Sequence, residues 1–270
     1  MTSAAVGASP PSPIPSRCDP TDPSISSPLA QTTKSSITGT TPPPTKICVF
    51  CGSSPGLSPA HMAMARSLAR YMASQNISLV YGGGTVGLMG ELARTLVSLS
   101  GPTSVHGITP APLVRYECGP SSTAPSVHSL KNGSETSGNG LGLPDYNIYG
   151  KTTVVKDMHT RKSMMAREVM AGGPGSGFIA LPGGYGTLEE LMEIVTWNQL
   201  GIHNRGVVLL NVDGYWDGLM SWIQNSVEAG FVSEANRTII YETKTADEAV
   251  EALRDYKLTE GRYKLEWGNE

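Results

Sequence analysis

The chain has 270 residues, enough for one large domain or two small ones, and a formal charge of −3 that gives no overall basic footprint for nucleic acid. No run of about 18 apolar residues occurs, so no membrane-spanning helix is expected. Four cysteines without metal-ligand spacing exclude a zinc scaffold and point to a reducing, cytoplasmic setting.

In chain order, residues 1–45 are crowded with Pro, Ser and Thr, as in ASPPSPIPS and GTTPPPT. Such a segment cannot bury enough apolar surface to offset ordering entropy, so a disordered tail is expected there. From Lys46 onward, apolar runs alternate with amphipathic stretches. Strands are expected at 46–50, 77–81, 104–108, 152–155, 177–181, 206–211 and 237–241. Helices are expected at 58–75, 87–99, 157–171, 188–200, 215–229 and 245–254. Strands this continuously apolar are covered on both faces. The alternation therefore predicts an α/β fold, a doubly wound Rossmann-like three-layer sandwich with a mostly parallel sheet. The domain is expected to span 46–258, with a Gly-, Ser- and Asn-rich surface insertion at about 118–145 and a C-terminal tail at 259–270.

Cys48 and Cys51 form a CxxC, but KICVFCG reads as a strand running into a turn. Residues three apart on a strand face opposite ways, so core packing is the expectation rather than redox chemistry. The stretch YGGGTVGLMGELA (81–93) satisfies G-x-G-x-x-G through Gly82, Gly84 and Gly87. It follows the second strand rather than the first, and no acidic residue ends the next strand to hold a ribose. Tight packing of strand on helix, or a helix N-terminus facing another anionic ligand, both outrank a dinucleotide. YGKTT (149–153) fails as a P-loop, because position 145 is Asp and the strand follows the loop instead of preceding it.

The stretch LPGGYGTLEE (181–190) has glycines for a tight turn before a helix. Two readings of Glu190 stand side by side. It can close a capping box on Thr187, or the glycine amides and Thr187 can hold a phosphate while Glu190 points past it. The helix KDMHTRKSMMARE (156–168) adds Arg161 and Lys162, whose plain reading is a solvated helix face. His159 has no Ser, Cys or Asp spaced to form a triad with it.

Together, CVFCGSSPG (48–56), YGGGTVGLMG (81–90), MHTRK (158–162), LPGGYGTLEEL (181–191) and WNQLGIHNRGVVLLNVDGYWDGL (197–219) resemble, in that order, the LONELY GUY family. These are cytokinin riboside 5′-monophosphate phosphoribohydrolases, sometimes labelled lysine decarboxylases. The resemblance spans about 46–255 and implies hydrolysis of the N-glycosidic bond of N6-substituted AMP, and of AMP itself as a further candidate, to free base and ribose 5-phosphate. It implies catalytic roles for Arg161 and Glu190. For substrate binding it implies Gly52, Ser53, Gly83, Gly84, Thr85, Met89, Glu117, Met158, Lys162, Gly183, Gly184, Tyr185, Gly186, Thr187, Leu188, Glu189 and Thr196. No cofactor or metal is implied, and the partners are a small nucleotide and further copies of the chain, as a homodimer or larger. A carboxylate near C1′ would stabilise the oxocarbenium-like centre left as the base departs. Placed near a helix N-terminus, Glu190 is expected to stay ionised. A non-catalytic carrier of a phosphorylated ligand, similar to molybdenum-cofactor carriers, is the main rival class, with a nicotinamide oxidoreductase third.

Overall fold

Strand β1 (Lys46–Phe50) shows how the sheet is buried: Ile47 and Val49 enter one apolar cluster, Cys48 and Phe50 the other. That alternation is the two-residue period of a strand with both faces covered. The computed structural model describes residues 42–114 and 143–265. Helix α1 (Pro59–Ser74) starts where the Ser58 side chain accepts from the Ala60 N–H and Pro59 supplies a preset first-turn φ. It buries Ala65, Leu68, Ala69 and Met72, one helical stripe. Cutting Leu68 back to alanine should cost about 2–5 kcal/mol.

The chain continues through β2 (Ser78–Tyr81), α2 (Gly87–Ser100), β3 (Val105–Pro110), a short α3 (Tyr146–Tyr149) and β4 (Lys151–Val155). Then come α4 (Met158–Met170), β5 (Gly177–Ala180), α5 (Tyr185–Gln199), β6 (Gly206–Leu210), α6 (Asp217–Glu228), α7 (Glu234–Arg237), β7 (Ile240–Thr243) and α8 (Ala246–Arg254). Among the described residues, seven strands form one sheet, all parallel, in the order β4-β3-β2-β1-β5-β6-β7. Helices α1, α2 and α8 cover one face, and α4, α5 and α6 the other. The order turns back between β1 and β5, and the crevice at the carboxyl ends of strands at such a switch point is where open α/β sheets bind ligands.

Most boundaries shift by a residue or two from the sequence expectation, and three differences are larger or different in kind. The strand foreseen at 237–241 begins at Ile240, because Ser233 caps α7 by accepting from Asn236 N–H and draws the preceding residues into a helical turn. The α3 turn was missed; Asp145 caps it, and Gly150 at φ 78 ends it. Helix α5 begins at Tyr185, three residues early. At the edges of the domain, Pro44 and Thr45 carbonyls accept from the Gly173 and Ser78 amides, both at 3.0 Å. Beyond α8, Arg262 donates to the carbonyls of Asn198 at 2.8 Å and His203 at 2.6 Å. The expectations for residues 1–41 and 115–142, including Glu117, and for the end of the C-terminal tail at 266–270, fall outside the described residues.

The thiols of Cys48 and Cys51 are free and buried, and burial pushes both up in pKa, which leaves them inert packing groups. They sit in opposite core clusters, as the strand period foretold. Among the described residues, no helix is long and apolar enough to cross a membrane.

Candidate active site

Three loops meet at the switch point, after β1, β2 and β5. Gly52 N–H donates to the Pro182 carbonyl at 3.0 Å, and a Cβ on Gly183 would lie 2.9 Å from Gly52 N. The Gly52 carbonyl in turn accepts from Leu88 N–H at 3.1 Å and Met89 N–H at 3.3 Å. Two of the first amides of α2 are thus satisfied within the protein, so this glycine-rich loop is a packing device more than an anion cradle. Gly87, at φ 59, lies where a Cβ would strike the Ser53 backbone at 2.3 Å. Gly83 faces Thr109, whose hydroxyl donates to the Gly82 carbonyl at 3.1 Å.

Helix α5 is arranged differently. Gly184 is its N-cap, with no side chain capping it. A Cβ on Gly184 or Gly186 would meet nothing within 4 Å, and neither has a positive φ. Only Gly183 is demanded by crowding, because a Cβ there would sit 2.1 Å from Thr187 Oγ1. The other two glycines keep space open over unpaired amides rather than shaping the turn, which corrects the expectation that all three serve the turn.

The capping-box reading of Glu190 does not survive. Thr187 is the third residue of the helix, not its cap, and it is buried. Glu190 Oε1 instead accepts from Arg161 Nη2 at 2.9 Å, with both side chains only 9% exposed. A capping box of that form is found on α8, between Thr245 and Glu248. Arg161 arrives from α4, whose start is fixed by the Asp157 carboxylate accepting from Thr160 N–H at 2.7 Å. Its guanidinium lies against Gly82, where a Cβ would be 2.2 Å from Nη2. Among the described residues, Arg161 Nη1 reaches only the Met158 sulfur at 3.9 Å, and its buried Nε has no hydrogen-bond partner. Such a group retains donors for a ligand.

Burial pushes the Glu190 carboxyl up from the ordinary glutamate range, with Arg161 opposing. The sequence argument from the helix N-terminus pointed the other way. Glu190 is the sixth residue of α5, beyond the first turn where the dipole acts, and desolvation wins. Beside this pair, Lys162 Nζ is held by Glu189 and, at 3.1 Å, by Glu193. Burial works against its charge, but the hydrogen bonds it donates to the two carboxylates outweigh that and raise its pKa.

Met158 touches Arg161, and Met89 lies with the Arg161 guanidinium beside Gly82. Lys162 meets the Glu189 and Glu193 carboxylates, while Gly183 packs on Thr187 and Gly184 caps the start of α5. Tyr185 (94% exposed), Gly186, Leu188 and Glu189 form the outer rim, with Ser53 exposed at the next loop. Gly84 is buried in the β2 loop and Thr85 half-buried beside it. Thr196 stands apart: it is exposed, its hydroxyl donates to the Met192 carbonyl at 2.8 Å, and it lies eleven residues past the start of α5, about 16 Å along the helix axis. Sequence reasoning missed Glu193, which lies one turn after Glu189 on the same face. It also missed Tyr215, whose hydroxyl donates to the Gly183 carbonyl. Among the described residues, no group of three or more His, Cys, Asp or Glu is placed to hold a metal ion.

A family model described as possible lysine decarboxylase matches residues 89–253. A bifunctional cytokinin biosynthesis protein of Fusarium pseudograminearum is 48% identical over 226 residues, covering 84% of this chain and 43% of that protein. The chain thus spans less than half the length of that relative. The cytokinin riboside 5′-monophosphate phosphoribohydrolase LOG3 of Arabidopsis thaliana is 43% identical over 211 residues, covering 78% of this chain and 82% of that protein. A solved molybdenum cofactor carrier protein from Chlamydomonas reinhardtii is 16% identical, covering 78% of this chain and 96% of its own, with a TM-score of 0.48. With a family model matched over more than half its length, and a relative above 40% identity across most of both chains, the chain belongs to the LONELY GUY (LOG) family.

Proposed function

We propose that the protein is a phosphoribohydrolase acting on N6-substituted adenosine 5′-monophosphates, the cytokinin ribotides, with AMP as a further substrate. The observation that carries this reading is the buried Arg161–Glu190 pair set beside the uncapped, glycine-opened N-terminus of α5. The relatives named as cytokinin riboside 5′-monophosphate phosphoribohydrolases support the substrate class. Two cations, Arg161 and Lys162, stand against three carboxylates, Glu189, Glu190 and Glu193. Side chains alone would repel a phosphate, so the backbone amides of α5 hold it, with Arg161's spare donors turned to the nucleotide.

With the phosphate seated there, C1′ lies toward Glu190, about one helical turn away. The C1′–N9 bond breaks with its electron pair going to the base, and positive charge grows at C1′ and the ring oxygen. Ionised Glu190 stabilises that charge and orients the attacking water. The water oxygen bonds to C1′ and its released proton balances the departing base, giving free base and ribose 5-phosphate. Burial-raised basicity suits Glu190 to taking a proton from water, while Arg161 opposes that rise and aims the carboxylate.

The same reading includes a homo-oligomer built on a dimer, with α4 at or beside the contact and a cytoplasmic setting. Partly exposed Met158 on α4, together with Tyr185 and Leu188 beside the site, supports the first of these. Fractionation of tagged protein tests the second. Incubation with isopentenyladenosine monophosphate and AMP side by side tests the activity. Equal amounts of base and ribose 5-phosphate are expected, and recovery of intact bound nucleotide would mark a carrier instead.

A further inference from the structure

We propose that Tyr215 is a positioning residue that sets the phosphate affinity of the site, acting through the Gly183–Gly184 peptide. This rests on the reading that the mouth of α5 holds the phosphate. Tyr215 lies in the loop between β6 and α6, and its hydroxyl donates to the Gly183 carbonyl. In a trans peptide the carbonyl and the following N–H point in opposite directions. A hydroxyl that claims the Gly183 oxygen therefore turns the Gly184 N–H away from Tyr215 and leaves it open to an anion at the helix mouth. Without that hold, the peptide is free to flip. Gly184 has no Cβ, and a Cβ there would meet nothing within 4 Å, so sterics do not fix the plane.

The donor is held by a rigid loop. Asn211 Oδ1 accepts from Trp216 N–H at 2.8 Å, while its Nδ2 donates to Asp217 at 2.7 Å and Glu242 at 2.8 Å. Asp213, at φ 51, accepts from the Ser58 hydroxyl at 2.7 Å, tying the loop to the start of α1. The Tyr215 ring meets His61 edge-on at 6.0 Å and Trp216 at 4.9 Å. Every one of these ring contacts is available to phenylalanine. Removing the hydroxyl alone therefore leaves the packing in place and releases one peptide.

The test is a stopped-flow titration of wild type and Tyr215→Phe with AMP, inorganic phosphate and adenosine, read before AMP turns over, alongside thermal melts. Loss of one hydrogen bond predicts AMP and phosphate binding weakened roughly 3- to 10-fold, with adenosine affinity and melting temperature unchanged. The KM for ribotide should rise by the same factor with kcat preserved. Equal AMP affinity in the two proteins overturns the role of Tyr215 alone. Uniform weakening of all three ligands, or a lowered melting temperature, marks a structural role and also overturns it. Failure of wild type to bind AMP more tightly than adenosine removes the phosphate site itself, and the proposal with it.

Discussion

At the scale of single residues, Glu190 is decided by a competition between desolvation and its partner. Burial pushes its pKa up and Arg161 pulls it down, with burial ahead. In the proposed mechanism the ionised carboxylate is the working form, so activity should fall as pH drops through this raised pKa. The acid limb of the kcat/KM profile, which reports the free enzyme, should therefore lie above the ordinary glutamate value of about 4.3. It should vanish in the residual activity of Glu190→Gln; a limb that survives that substitution belongs to another group. Glu168, on the same helix as Arg161, shows the opposite balance. Burial disfavours its charge, but hydrogen bonds from His106 and Lys46 hold the carboxyl down at about 2. A depressed pKa means stability present above the unfolded value and lost as pH falls toward the folded one. Glu168 is only partly buried, so solvent screening takes up part of that shift; Glu168→Gln should cost on the order of 1–2 kcal/mol near neutral pH, and the difference should close between about pH 4.3 and 2. Urea melts of both proteins from pH 7 downward measure it; a gap independent of pH would assign the loss to packing.

At the scale of elements, the start of α5 is the feature on which the site depends. Gly183→Ala has no room, with Thr187 Oγ1 at 2.1 Å and the Gly52 backbone at 2.9 Å, and should destabilise by about 1–3 kcal/mol. Gly184→Ala fits in open space and should fold normally, yet raise KM for a ribotide by narrowing the approach to the amides. Thermal melts with Michaelis kinetics separate the two; equal effects on both quantities would count against the cradle. Much of this element was legible in the sequence. The glycine spacing located the helix mouth to within three residues, and apolar runs such as KICVF and GVVLL located strands covered on both faces. What stayed hidden was three-dimensional. Thr187-x-x-Glu190 matches a capping box letter by letter, and only the meeting of α4 with α5 shows that Arg161 takes the carboxylate. Tyr215 and Glu193 carry no local signal, since each acts on a residue from another element. Short helical turns such as α7 were lost because a β-branched Thr-Ile-Ile run outweighs one Ser cap.

At the scale of the whole molecule, the strand order places three loops at one switch point, and a ligand bound there must satisfy all of them. A nucleoside lacking the 5′-phosphate forfeits the α5 amides and the orientation they impose, so its kcat/KM should fall well below that of the ribotide. Equal values for the two would remove the phosphate from the mechanism. For assembly, light scattering at micromolar concentration should show a dimer or larger species, and a fully active species of about 28.5 kDa alone would contradict it. The central claim is that this scaffold performs hydrolysis through Glu190 rather than merely storing a nucleotide. The most direct measurement is single-turnover quench of excess enzyme with isopentenyladenosine monophosphate, comparing wild type with Glu190→Gln. Free base should form in wild type and slow on the order of 10²-fold or more in the variant, with ribotide binding retained. Base release at the wild-type rate from a folded Glu190→Gln protein would contradict the account.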